Sequence, residues 1–164
     1  MNQKEIYLAG GCFWGVEEFF ANIAGVTFTC AGYANGKSQK TTYQDIKNTG
    51  HSETVYIKYD SDKIKLDKLL DYYFLIIDPT LKNRQGNDIG SQYRTGIYYT
   101  DETDVDIIKD KISREQKKYS KAIVTEVQAL ANFCKAEEYH QQYLKKNPSG
   151  YCHVDMSLLD KINS

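Results

Sequence analysis

The chain has 164 residues, 41% of them hydrophobic, and its 21 basic and 22 acidic residues give a formal net charge of −1. A chain of this length is expected to form one domain, spanning 1–164, with enough apolar content to build a core. The even charge balance argues against nucleic acid or an anionic membrane as a partner, and the absence of an apolar leader or of ~20 consecutive apolar residues predicts a soluble, cytoplasmic protein.

The N-terminal stretch predicts a strand, a sharp turn and a helix. Residues 4–8 favour a strand, and Gly10 and Gly11 favour a turn after it. The apolar side chains that follow recur at helical spacing, namely Val16, Phe19, Phe20 and Ile23. Gly25 is expected to end this helix.

Cys12 lies between the turn and the helix, beside Trp14, the only tryptophan of the chain. Free backbone N–H groups and the positive end of the helix dipole stabilise an anion at a helix N-terminus. The position therefore predicts a thiol that can be held as its nucleophilic thiolate. With four cysteines in a cytoplasmic chain, catalytic, redox or core thiols are expected rather than a disulfide framework.

Two further strands and a polar loop are predicted next. Residues 26–30 alternate, which indicates a strand with Val26, Phe28 and Cys30 on one core face, where Cys30 is expected to be inert. Residues 32–37 have turn chemistry, and 38–50 form a polar loop with one helical turn near residues 43–46.

Residues 53–59 alternate cleanly, which predicts a strand with one apolar face. Val55, Ile57 and Tyr59 share that face, and by parity Glu53 belongs to it. Burial at this position would penalise the ionised carboxyl and raise its pKa from about 4.3 towards 6–7, where it can serve as a general acid.

The middle of the chain predicts one strong helix and one long loop. Apolar residues at helical spacing between 66 and 77 indicate a helix that Asp78 and Pro79 end. Residues 80–93 form a polar, glycine-bearing loop of the kind that usually carries function, and 94–99 form a strand.

The last third predicts a charged surface helix capped near Asp101, a strand over 123–130 and a helix over 135–145. A tail, 146–164, follows and carries Cys152 and His153. This order predicts an α+β fold: a mixed sheet with helices, a ferredoxin-like split β-α-β centre, an extra helix and strand, and an irregular C-terminal tail.

Several blocks, in order along nearly the whole chain, resemble the A-type peptide methionine sulfoxide reductases. The segment Gly11-Cys12-Phe13-Trp14-Gly15 is similar to the signature of that family. Further similar blocks are Gly32-Tyr33-Ala34, Tyr43, Gly50-His51-Ser52-Glu53, Tyr59-Asp60, Asp78-Pro79-Thr80, Gln85-Gly86-Asn87-Asp88, Gln92-Tyr93-Arg94 and Glu138-Tyr139-His140-Gln141. The resemblance implies reduction of the S epimer of methionine sulfoxide, free or within proteins, to methionine.

The resemblance also implies roles for the residues around the thiol. Cys12 is expected to be the nucleophile, and Phe13 with Trp14 the apolar wall that holds the S-methyl group. Glu53 is expected to hydrogen-bond or protonate the sulfoxide oxygen. A sulfoxide needs such an acid because its sulfur is a poor electrophile until the oxygen is protonated.

Four more residues receive roles from the resemblance. Tyr43 and Tyr93 are expected to direct hydroxyls at the sulfoxide oxygen, and Asp88 to support the pocket. Cys152 is expected to condense with the Cys12 sulfenic acid to a disulfide that thioredoxin, or dithiothreitol in an assay, reopens. No metal or organic cofactor is expected, the protein is expected to be a monomer, and no role is implied for Cys30 or Cys134.

Simpler interpretations stand beside these. By residue type alone Cys12 could be a core thiol, Glu53 a solvated strand-end carboxylate and Asp88 a turn residue; the resemblance reverses these interpretations. A thiol peroxidase or a non-catalytic redox switch would also use a sulfenic acid and a second cysteine. Cys134, His140, Cys152 and His153 lack the spacing of a zinc site, and His51 and His140 are expected to be structural or pocket-wall residues.

Overall fold

The computed structural model describes residues 2–163. The strands are β1 (Gln3–Gly10), β2 (Val26–Ala34), β3 (Ser52–Asp60), β4 (Arg84–Gln85), β5 (Asp88–Ile89), β6 (Thr95–Tyr99), β7 (Glu126–Ala129) and β8 (Phe133–Lys135). The helices are α1 (Phe13–Ala21), α2 (Ile46–Thr49), α3 (Leu66–Ile76), α4 (Val105–Gln116), α5 (Tyr143–Lys146) and α6 (Leu158–Ile162). Three 3₁₀ turns span Ser91–Tyr93, Glu102–Asp104 and Glu138–His140.

Six of these strands form one mixed sheet in the order β7-β6-β1-β3-β2-β8. Both β1 and β2 pair antiparallel with β3, so they run parallel to each other on its two sides, with α1 as the crossover. The unit β3-α3-β6 repeats this pattern around β1. The predicted α+β fold with a ferredoxin-like centre is therefore confirmed, and β7 adds a parallel strand at one edge.

The stripe predicted for the first helix faces the sheet. Val16, Phe19 and Phe20 are fully buried in the main core, and Ile23 is buried just past the end of α1. Burying such side chains stabilises the fold by roughly 1.5–3 kcal/mol each. That contribution is why α1, and with it the position of Cys12, is held firmly against β1, β2 and β3.

The parity predicted for β3 is also correct. Glu53, Val55, Ile57 and Tyr59 are all at most 1% exposed. Because alternate residues of a strand share a face, the Glu53 carboxyl lies in the apolar layer between the sheet and α1.

The face predicted for β2 is wrong. A bulge between Val26 and Phe28 shifts the register, and Phe28 is 53% exposed. Thr29 faces α1 instead, where its hydroxyl donates to Glu17. Cys30 is buried on the opposite face of the sheet, because a bulge inserts one residue and reverses the alternation.

The turn predicted over residues 32–37 is wrong at its start. The strand β2 continues to Ala34, and the chain turns at Asn35, whose φ is 55°. The extension arises because Gly32, Tyr33 and Ala34 pair with β3 on one side and with β8 on the other. Tertiary pairing has therefore overruled the local turn chemistry.

The middle of the chain largely follows the prediction. The helix α3 buries the predicted apolar stripe, and the loop over 80–93 contains the small β4–β5 hairpin and one 3₁₀ turn. The side chain of Asp101 caps the turn before α4 by accepting from the Thr103 N–H. Between residues 2 and 163 no helix combines the length and the apolar character needed to cross a membrane.

The helix predicted over 135–145 is wrong. Residues Phe133–Lys135 form β8, Glu138–His140 form a 3₁₀ turn, and only Tyr143–Lys146 are α-helical. The Gln141 side chain bonds the backbone N–H and carbonyl of Ala31, and Gln142 has φ 50°, a left-handed conformation that interrupts a helix. The predicted strand over 123–130 is limited to Glu126–Ala129, and α6, within the tail, was not predicted.

Candidate active site

The turn between β1 and α1 places Cys12 at the N-cap of the helix. Gly11 has φ 88°, and a Cβ there would lie 2.7 Å from the Cβ of Gln85. A side chain at this position would therefore be both strained and crowded. Cys12 is a free thiol, 8% exposed, and the backbone N–H of Trp14 is near enough to oppose the rise in its pKa.

Glu53 lies directly beside the start of the same helix. The backbone N–H of Phe13 donates to Glu53 Oε1 over 3.1 Å. Burial raises the pKa of Glu53 to about 8, the Phe13 N–H opposes that shift, and the nearby Asp88 adds to it. At neutral pH this side chain is therefore mostly an uncharged acid, with a pKa somewhat higher than the 6–7 that the sequence predicted.

The expectation of a resting thiolate is wrong. Burial raises the pKa of the Cys12 thiol well above its usual value, and the carboxyls of Glu53 and Asp88 add to the increase. The Trp14 backbone N–H lowers the pKa of Cys12, but this effect is smaller than that of burial. A helix N-terminus favours an anion, but here the loss of water around the sulfur outweighs it.

Tyr43 and Tyr93 bring two phenol groups to the same place from different parts of the chain. The two phenols lie near each other, and both lie near Glu53 and Cys12, whose charges add to the rise in the pKa of each phenol. Burial raises the pKa of each phenol, so both remain neutral donors near pH 7. Such donors can stabilise charge that develops on an oxygen without forming an ion pair.

Asp88 begins β5 and is part of the same group of residues. Its Oδ2 atom is buried and lacks a hydrogen-bond partner among residues 2–163, while the Tyr151 hydroxyl interacts with the carboxyl. Tyr43, Tyr93 and Asp88 line one cleft of about 580 Å³ together with Gln92. The structure thus brings these three of the predicted site residues to one cleft, whose lining does not include Cys12, Phe13, Trp14 or Glu53.

Phe13 and Trp14 differ in how they are held. Phe13 is 1% exposed and its ring lies 5.6 Å from that of Tyr33. The indole of Trp14 stacks on Tyr143 with centroids 3.7 Å apart, and its Nε1 donates to Nδ1 of His140 over 2.9 Å. The tryptophan is therefore fixed in one orientation by a ring and a hydrogen bond.

His140 is more central than the sequence indicated. Its ring lies 4.7 Å from that of Tyr43 and 5.1 Å from that of Phe13, in addition to its bond with Trp14. Burial lowers the pKa of His140, so the ring stays neutral and accepts the indole N–H. The resemblance of the block around His140 to the family was the only signal in the sequence that could have indicated this position.

The three remaining cysteines differ in their surroundings. Cys152 is partly buried against α1, and its thiol adds to the raised pKa of Cys12. Burial raises the pKa of Cys30 to about 11, as for an unreactive core thiol. Cys134 lies on β8 opposite Tyr33, with Sγ 3.8 Å from the Thr41 carbonyl oxygen.

The α+β fold and this site define a thiol-dependent oxidoreductase. The chain matches the family described as peptide methionine sulfoxide reductase over residues 4–163. It is 56% identical over 160 residues to the peptide methionine sulfoxide reductase MsrA of Clostridium acetobutylicum, covering 96% of this chain and 99% of the relative. The chain therefore belongs to the A-type peptide methionine sulfoxide reductase family.

Solved structures agree with this assignment. Mxr1 of Saccharomyces cerevisiae in reduced form matches with a TM-score of 0.89 and 35% identity over 93% of this chain and 91% of that one. Methionine sulfoxide reductase A of Corynebacterium diphtheriae matches with a TM-score of 0.86 and 34% identity, over 92% of this chain and 77% of that one. Mxr1 of Saccharomyces cerevisiae in complex with Trx2 matches with a TM-score of 0.63 and 25% identity, over 86% of this chain and 84% of that one.

Proposed function

We propose that this enzyme reduces the S epimer of methionine sulfoxide, free and within proteins, to methionine, with Cys12 as the nucleophile and Glu53 as the acid. The observation that carries the proposal is the hydrogen bond from the Phe13 N–H to Glu53. It places an uncharged carboxylic acid at the N-terminus of α1, beside the Cys12 thiol. Reduction of a sulfoxide by a thiol requires this combination of nucleophile and acid.

In the first step the Cys12 sulfur attacks the sulfur of the substrate. The sulfoxide oxygen takes the proton of Glu53, and the thiol proton of Cys12 replaces it on the carboxyl. The hydroxyl formed on the substrate sulfur then moves to the Cys12 sulfur, while the bond between the two sulfurs and the substrate sulfur–oxygen bond break. This releases methionine and leaves Cys12 as a sulfenic acid, so Cys12 is oxidised by two electrons and the sulfoxide is reduced by two. The high pKa of Cys12 suits this scheme, because the thiol has to lose its proton only as the oxygen gains one.

The surrounding side chains support binding and orientation. We propose that Phe13 and Trp14 hold the S-methyl group, since a rigid apolar surface favours a methyl group and excludes water. We propose that the hydroxyls of Tyr43 and Tyr93 bind the sulfoxide oxygen together with Glu53, whose charge influences the pKa of both phenols. The nearby carboxyl of Asp88 adds to the rise in the Glu53 pKa and so favours the protonated form of Glu53.

In the second step Cys152 attacks the Cys12 sulfenic acid. A disulfide forms, the sulfur–oxygen bond breaks, and the oxygen leaves as water with the thiol proton of Cys152. An external dithiol then reopens the disulfide by exchange. The match to Mxr1 in complex with Trx2 supports a thioredoxin as that dithiol.

The proposal extends to the setting of the enzyme. Residues 1–164 act as one catalytic domain, with the tail over 146–164 supplying Cys152. The domain works as a monomer in the cytoplasm, and electrons come from the external dithiol without a metal or organic cofactor. The formal net charge of −1 supports a partner that is neither nucleic acid nor membrane.

The substrate is tested by supplying purified enzyme and dithiothreitol with each epimer of a methionine sulfoxide peptide, or with hydrogen peroxide. Turnover of the S epimer and not of the R epimer is expected, because the acid and the methyl-binding wall fix one handedness at the sulfur. Release of methionine is measured by chromatography. Consumption of peroxide alone would indicate a thiol peroxidase, and no turnover at all would indicate a redox switch.

Replacing Cys152 by serine is expected to leave the first turnover intact and to stop cycling with thioredoxin. The reason is that the first step uses Cys12 and Glu53, whereas only the second step needs a second thiol. The measurements are methionine released per enzyme without reductant, and steady-state turnover with thioredoxin. Cys134→Ser is the matched control and should cycle normally; full cycling by the Cys152 variant would mean that Cys30 or Cys134 is the resolving residue.

A further inference from the structure

The segment 151–154, which carries Cys152 and is called the tail segment below, packs against glycines close to Cys12. A Cβ on Gly15 would lie 3.1 Å from Cys152 Sγ, and one on Gly86 would lie 3.3 Å from the Cβ of His153. A side chain at Gly15 or Gly86 would crowd the tail segment, and the close approach is possible because glycine has no Cβ. The glycines therefore make room for the tail segment beside α1 and the β4–β5 hairpin.

His153, which neighbours Cys152 in sequence, is bonded to the turn that carries Cys12. Its Nε2 lies 2.8 Å from the carbonyl oxygen of Gly10, two residues before Cys12. A carbonyl oxygen can only accept, so Nε2 carries the proton and donates it. Nδ1 is buried and has no partner within the described chain, and burial lowers the pKa of His153, which keeps the ring neutral.

Most other hydrogen bonds of the tail join near neighbours. The Gly150 N–H donates to the Asn147 carbonyl, and Ser157 donates to Asp155 through both its N–H and its hydroxyl. Tyr151 reaches the pocket through its hydroxyl at Asp88. Among the hydrogen bonds found in residues 2–163, that of His153 ties the tail segment to the backbone of the Cys12 turn.

We propose that His153 is a positioning residue for Cys152, and that its bond to the Gly10 carbonyl holds the tail segment where Cys152 can attack the Cys12 sulfenic acid. This proposal rests on the function proposed above, in which Cys152 resolves the sulfenic acid. It concerns the second step only. The hydrogen bond of His153 goes to the Gly10 carbonyl and not to Cys12 or Glu53, so the first step does not need it.

The test is His153→Phe, which keeps a ring of similar size but removes the donor. Enzyme is mixed rapidly with one equivalent of methionine S-sulfoxide in the absence of reductant. Methionine release and loss of free thiols are followed separately, and the sulfenic acid is trapped with a cyclic 1,3-dicarbonyl probe. We expect an unchanged methionine burst and about 3- to 10-fold slower disulfide formation, the loss expected for one hydrogen bond.

Two further variants separate positioning from general damage. His153→Gln keeps an N–H donor near the position of Nε2 and is expected to recover most of the disulfide rate. Ser157→Ala removes a hydrogen bond that is local to the tail and is expected to match the wild type. Disulfide formation at the wild-type rate in His153→Phe, or equal slowing of the burst and the disulfide, would overturn the proposal. Absence of the burst in the wild type would instead contradict the proposed function itself.

Discussion

Replacing Cys12 by serine is expected to abolish the release of even one equivalent of methionine. The serine hydroxyl fits the same N-cap position, but an alcohol oxygen cannot take up the sulfoxide oxygen and be oxidised as a thiol can. The loss should therefore reach the background of the assay, a decrease of at least about 10³-fold, as expected when a covalent nucleophile is removed. The measurement is a single turnover without reductant, with methionine quantified against enzyme.

Cys30→Ser is the matched control for this experiment. Cys30 is also a buried thiol, at 7% exposed, but it lies on the face of the sheet away from α1. Its variant is expected to release one equivalent of methionine like the wild type. One equivalent of methionine from the Cys12 variant would show that another thiol is the nucleophile, and the proposed site would then be wrong.

Replacing Glu53 by glutamine is expected to lower the rate of the first turnover by about 10²- to 10⁴-fold, the usual contribution of a general acid. Glutamine has nearly the same shape, and its carbonyl oxygen can still accept the Phe13 N–H. However, its amide group cannot donate a proton to the sulfoxide oxygen as a carboxylic acid does. The rate constant for methionine release, measured by rapid quench with the S epimer, reports this loss directly.

The pH dependence of the same rate constant provides the sharper test. Because burial raises the Glu53 pKa from its ordinary 4.5 to about 8, the carboxyl is protonated below that pH and ionised above it. The wild-type rate is therefore expected to fall as the pH rises through about 8. The glutamine variant should lack this descending limb, since its side chain does not titrate. A variant that keeps both the rate and the limb would exclude Glu53 as the acid.

The local pattern of the chain predicted much of the fold. Helical spacing located α1 and α3, and alternation placed Glu53 on the buried face of β3, because these periodicities depend only on near neighbours. The prediction of a helix over 135–145 was wrong because the structure there depends on a contact with a distant part of the chain. Gln141 bonds to the backbone of Ala31, more than a hundred residues away, and that bond competes with a local helix.

The site residues also fall into two groups, those that the sequence indicated and those that only the structure revealed. The resemblance named Tyr43, Tyr93 and Asp88, and the structure places them at one cleft. The sequence predicted His140 only as a structural or pocket-wall residue and gave His153 no role, because a histidine contributes through the partner it contacts. Those partners are the indole of Trp14 and the carbonyl of Gly10, which lie far away in the chain.

The sequence by itself determined where the Cys12 thiol stands in the chain, which strand carries Glu53, and which face of that strand Glu53 occupies. Only the tertiary structure decided the protonation states: Cys12 is a buried thiol with a raised pKa, and Glu53 is an uncharged acid at the Phe13 N–H. The physical reason is that the spacing of residues along the chain determines which face of a helix or strand a side chain occupies. A pKa depends instead on how much water is removed from the titrating group. That removal is produced by elements that meet only when β1, β3 and α1 pack together.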